Sequence, residues 1–129
     1  FKPIMKKMIP FALLFALFSC FETPERNCVD FKTGKFKFEL DIDGVKKSTT
    51  FIRSENQEID FFEGKSDTSS IRWINDCEYI IQKINPKNMA EKKAVSIKIL
   101  STSKDGYTFE VNVVGSDDKQ TGTVVKLEN

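Results

Sequence analysis

Strict two-residue alternation is the feature that most limits what this chain can become. Lys35-Phe36-Lys37-Phe38-Glu39-Leu40-Asp41-Ile42 puts Phe36, Phe38, Leu40 and Ile42 on one face and four charges on the other. A side-chain period of two belongs to a half-buried β-strand and is incompatible with an amphipathic helix. Asp43-Gly44 follows at once, and this dipeptide supplies the positive backbone angles of a two-residue hairpin. The turn predicts that Ile42 pairs with Val45, Asp41 with Lys46 and Phe36 with Phe51, an aromatic pair inside and an opposite-charge pair outside. Asp41-Ile42-Asp43-Gly44 lacks the glycine and glutamate spacing of a helix-loop-helix calcium site, so the turn explains it.

The same grammar continues. Thr49–Ser54, Glu58–Glu63, Ser69–Ile74 and Glu78–Ile84 are rich in β-branched and aromatic residues. Glu55-Asn56-Gln57, Gly64-Lys65-Ser66-Asp67 and Asn75-Asp76 separate them with turn chemistry. A tight Asn75-Asp76 turn would oppose Trp73 to Glu78, so either a longer turn or a bulge is expected there. Pro86–Lys93 reads as a loop or a single helical turn. Val95, Ile97 and Ile99 alternate again; Asp105-Gly106 leads into Tyr107, Phe109, Val111 and Val113; Gly115-Ser116-Asp117-Asp118 turns the chain; and Thr121–Glu128 closes it, with Thr123, Val125 and Leu127 expected inward.

About eight short strands joined mostly by tight turns form a meander, and closure is how such a meander removes its exposed edges. The expected fold is all-β, an eight-stranded antiparallel barrel or curled sheet over residues 28–129, preceded by an N-terminal signal helix. Phe31-Lys32-Thr33-Gly34-Lys35-Phe36 resembles the first-strand motif of lipocalin-like proteins, with Phe36 where that family carries tryptophan. The resemblance implies a cation near the last strand packed on that ring, a part that Lys126 would take.

Met5-Lys6-Lys7 followed by the apolar run Met8–Leu17 has the layout of an export signal. The run is too short for a mature membrane span. Leu17-Phe18-Ser19-Cys20 resembles a lipobox, the motif of bacterial lipoproteins in which the cysteine is acylated before cleavage on its amino side. The resulting layout is an upstream extension at 1–4, a signal peptide at 5–19, a tether at 20–27 and the barrel domain. Acylated Cys20 would be the membrane attachment, placing the protein in the bacterial cell envelope. With the signal removed, the chain's 20 basic residues lose Lys2, Lys6 and Lys7 while all 19 acidic residues stay, so the net charge is about −2 and no basic footprint for nucleic acid remains.

Acylation of Cys20 leaves Cys28 and Cys77, which an oxidising compartment favours as a disulfide. The run from Cys28 to Phe36, with Trp73 shortly before Asp76-Cys77-Glu78-Tyr79, resembles a group of small lipoproteins from Bacteroidetes-type bacteria that has no established activity. Some of that group carry the name DNA topoisomerase IV. An ATP site, a tyrosine nucleophile beside a basic partner and clustered magnesium carboxylates would be needed for that activity, and the sequence carries none of them.

The chain has no histidine, which excludes Ser-His-Asp, Cys-His and zinc-hydrolase sets. There is no glycine-rich phosphate loop, so neither catalysis, a cofactor nor a metal is expected. Glu39 with Asp41 and Glu58 with Asp60 share strand faces, read here as solvated surface opposite the apolar residues. Two functions fit what remains. The barrel holds a small apolar ligand among Phe36, Phe38, Phe51, Arg53, Trp73, Tyr107 and Phe109, with Arg53 as the inward-phase charge that orients it or as a strand-end arginine reaching solvent. Alternatively the core is filled by these side chains and the protein contacts another envelope protein, with Phe62 and Val124 as outward apolar residues.

Overall fold

A computed structural model describes residues 25–42 and 44–128. The expected signal peptide, Cys20 and most of the tether lie outside them. Eight antiparallel strands follow in order: β1 Gly34–Ile42, β2 Val45–Arg53, β3 Gln57–Phe62, β4 Lys65–Asn75, β5 Glu78–Lys83, β6 Val95–Thr102, β7 Gly106–Val113 and β8 Gln120–Glu128. Each strand bonds its sequence neighbours, and β1 also pairs with β8, so the meander closes into a barrel without a free edge.

The β1–β2 register is the predicted one, with Phe36 opposite Phe51, Asp41 opposite Lys46 and Ile42 opposite Val45. Phe36 and Phe51 stack with ring centroids 5.1 Å apart. A bulge between Trp73 and Asn75 resolves the β4–β5 conflict, because it opposes Trp73 to Tyr79 and Asn75 to Glu78. The β3–β4 connection is tighter than expected. Lys65, Ser66 and Asp67 belong to β4, and the turn is Glu63-Gly64 alone, both with positive φ (49° and 78°). That is the backbone of a two-residue hairpin whose twist matches its strands.

Two expected strand faces are reversed. On β3, Glu58 is buried and Phe61 is exposed, so the acid-bearing face points inward. On β8, Val124 is 3 % exposed while Val125 and Leu127 are 46 % and 47 % exposed. The cross-strand pairs Tyr107–Val124 and Phe109–Gly122 fix that phase. Gly122 is needed there, since a Cβ would stand 2.7 Å from Phe109 and 2.8 Å from Phe38. The inward set on β8 is thus Gln120, Gly122, Val124 and Lys126, too polar and too small to announce itself by hydropathy.

One end of the barrel is plugged. Residues Cys28–Phe31 form a single 3-10 turn whose Cys28 and Phe31 are buried against Phe36, Phe51, Ile99, Tyr107, Phe109 and Val124. Cys28 is bonded to Cys77 in the β4–β5 turn, with Cα atoms 5.2 Å apart. The incoming chain is fixed at the same end, where Thr102 N–H donates to Glu25 O at 2.7 Å and Arg26 Nε to Leu100 O at 3.1 Å. The β1–β2 and β3–β4 turns and the connections 84–94 and 114–119 gather at the opposite, open end.

Candidate functional site

The open half of the barrel encloses a cavity of about 820 Å³. Apolar walls come from Phe38, Phe51, Ile97, Phe109, Val111 and Val124, and Glu58, Asp60, Tyr79 and Tyr107 add polar groups. Lys65, Lys83 and Lys87 stand at the rim. Because strand residues alternate between faces, one inward row per strand builds the whole lining.

Of the seven expected lining residues, Phe38, Phe51, Tyr107 and Phe109 are in the wall. Phe36, Arg53 and Trp73 are not; they belong to the packing beneath the cavity. Trp73 lies against Tyr79, ring centroids 4.6 Å apart, with Lys32 Nζ 5.0 Å from its ring. Arg53 is neither a ligand-facing charge nor a strand end in solvent. It is 2 % exposed, and its guanidinium forms the underside of the floor.

That guanidinium is extensively bonded. Nε donates to Glu58 Oε1 at 3.1 Å, Nη1 to the plug carbonyl Phe31 O at 2.7 Å, and Nη2 to the hydroxyls of Tyr79 and Tyr107 at 2.7 and 2.9 Å. Its carbon lies 4.8 Å from the ring centroids of Phe36 and Tyr79 and 5.2 Å from Phe51. Burial opposes the charge, but the oxygens of Tyr79, Tyr107 and Glu58 outweigh it and raise the pKa further. Lys126, the expected cation over Phe36, is present at 5.9 Å from that ring and donates to Asp30 O at 2.6 Å. Arg53 is the nearer of the two, so the cation role is shared.

Glu58 and Asp60, expected on the solvated surface, are the polar residues that the sequence reading misplaced. Glu58 is held at 3.1 Å by Arg53; burial pushes its pKa up and Arg53 pulls it back. Asp60 is pushed up to about 7, first by burial, then by the charge of neighbouring Glu58 and the hydrogen bond the two carboxyls share, and by Asp67, with Arg53 acting the other way. Asp60 and Asp67 are direct cross-strand partners, and both line the cavity. Lys83 neutralises Asp67 at 2.8 Å and reaches Glu91 at 3.6 Å. Among the described residues, no lysine or arginine nitrogen lies within 4.0 Å of Asp60. A signal was available in the sequence: an inward-phase arginine needs an inward acid, and the hairpin from Arg53 presents Glu58 directly opposite.

The chain matches no protein-family description, no curated protein and no solved structure. The outer face of the barrel exposes charged Glu39, Arg72 and Lys98 beside apolar Ile52, Ile74, Val125 and Leu127. Among the described residues, no helix is long and apolar enough to cross a membrane.

Proposed function

We propose that this protein is a lipid-anchored binding module of the bacterial cell envelope, holding a small, largely apolar molecule inside its barrel. One observation carries the binding reading: the upper half of the barrel is an aromatic-walled cavity of about 820 Å³, within the size range of ligand sites. An eight-stranded barrel is just wide enough either to be filled by its own side chains or to hold one small ligand. Here the division runs across the molecule. Phe31, Phe36, Arg53 and Ile99 fill the plugged half, and the space begins above Tyr79 and Tyr107.

The envelope location and the anchor rest on the lipobox-like Leu17-Phe18-Ser19-Cys20. The non-enzymatic part of the reading is supported by the histidine-free sequence, which lacks the usual proton shuttle at neutral pH.

The test of binding is calorimetric titration of the mature domain, made without Cys20, with decanol as a neutral apolar probe, alongside native mass spectrometry for co-purified molecules. Saturable binding at one site is expected; the cavity reading is overturned if nothing co-purifies and neither decanol nor its charged counterparts decylammonium and decanoate bind. For the anchor, Cys20→Ala is expected to move the protein from the membrane to the soluble fraction. An unchanged membrane fraction overturns that part.

A further inference from the structure

The cavity walls and the carboxyls among them have complementary chemistry. Asp60 sits at mid-strand on the inward face, with Phe51 directly across on β2 and Asp67 directly across on β4. Carbons on directly opposed residues of one face approach to roughly 5 Å, so one side of the carboxyl is aromatic and the other acidic. Like charges in that position repel, and a fold that needed no cation there would gain by replacing one. The neighbouring inward acids are matched by cations: Glu58 on the same strand by Arg53 from β2, and Asp67 from β4 by Lys83 from β5. The phenols of Tyr79 on β5 and Tyr107 on β7 accept from Arg53 and lie beyond Glu58. Among the described residues no lysine or arginine nitrogen lies within 4.0 Å of Asp60, whose carboxyl has only the hydrogen bond it shares with Glu58.

Aromatic faces attract cations through the ring quadrupole, most strongly where water is excluded. Phe38, Phe51, Tyr107 and Phe109 line the same cavity as Asp60. An aromatic wall beside an unmatched carboxyl selects a positively charged nitrogen attached to an apolar body. The rim lysines do not contradict this. Lys83 is engaged by Asp67 and Glu91, and Lys65 and Lys87 are exposed, where solvent and salt screen them.

Resting on the cavity reading above, we infer that the ligand is a cationic amphiphile, a hydrophobic amine whose ammonium group lies against Asp60 and whose chain lies along Phe38, Phe51 and Phe109. An anionic amphiphile would bring its charge to the acidic inner face and is disfavoured. Since the carboxyl at position 60 titrates near neutrality, binding also carries a proton linkage. An alkylammonium stays charged far above neutral pH, so lowering the pH removes the protein's charge and not the ligand's.

The experiment compares decylammonium, decanol and decanoate, three equal chains differing in head charge, by calorimetric titration of the mature domain. At about pH 8, decylammonium is expected to bind at least about tenfold tighter than either of the others. Asp60→Asn should bring decylammonium down to the level at which decanol binds the same variant. In the unmutated protein the same preference should shrink as the pH falls to about 5.5, which keeps the test independent of whether the variant folds. Equal or tighter binding of decanol or decanoate, a preference that survives Asp60→Asn, or a preference indifferent to pH would each overturn the inference. Failure of all three chains to bind would instead overturn the cavity reading on which it rests.

Discussion

Arg53 and Glu58 face each other across β2 and β3, with Nε and Oε1 3.1 Å apart and side chains 0 % and 8 % exposed. A pair so removed from water gains little over an apolar replacement, yet each member depends on the other to offset its own desolvation. Glu58→Ala leaves a buried guanidinium without its counter-ion. The expected loss is about 3–5 kcal/mol in urea denaturation. Arg53→Met with Glu58→Leu should cost clearly less than the sum of the two single losses, and strict additivity would show that the pair is not coupled.

Cys28 and Cys77 are 49 residues apart in sequence. On the chain-entropy account, closing that loop stabilises the fold by about 4 kcal/mol. Cys28→Ala with Cys77→Ala should lower the unfolding free energy by that order. Alkylation of the unreduced mature domain, made without Cys20, should add no mass, whereas two added groups would mean free thiols.

Gly106 opens β7 against the backbone of β8. A Cβ there would lie 2.1 Å from Val124 O, a backbone atom that cannot swing away. Gly106→Ala is expected to destabilise by about 1–3 kcal/mol, the usual cost of overpacking. A neutral result in thermal denaturation would mean that the β7–β8 contact is looser than described.

Asp60 also gives stability a pH dependence with a defined sign. Its carboxyl titrates at about 7 in the fold against an ordinary value of 3.8, so between these values the folded state binds more protons than the unfolded one. Its contribution is therefore fully present at low pH and is lost as the pH rises from about 4 to 7. Asp60→Asn should flatten that part of the profile and stabilise the protein at about pH 8 by at least about 1 kcal/mol. A variant less stable than the parent at that pH would refute the assignment.

Alternation and turn dipeptides made most of the architecture legible. Phe36 facing Phe51, the two-residue turn after Ile42 and closure of the meander all follow from local rules that the tertiary structure does not override. The site was less legible for a physical reason. Cavity walls and buried ion pairs break the rule that apolar means inside, so Glu58 and Asp60 read as surface and Val124 as outward. Where the inward row carries acids, a glycine and a lysine, hydropathy points to the wrong face, and only the cross-strand partner corrects it. Arg53 was placed on the correct face by phase alone, but its four hydrogen bonds, which commit it to the floor, depend on strands far apart in sequence.

The plug gives the molecule a polarity relative to any anchor that precedes it. The chain is pinned to the closed end from Glu25 onward, and five residue steps separate that point from Cys20. Even fully extended, they reach only about 17 Å. A protein held by acylated Cys20 would stand with its plugged end toward the bilayer and its mouth facing away. Cargo would then be exchanged with the aqueous compartment, or with a partner approaching from it, rather than drawn directly out of the membrane that holds the protein.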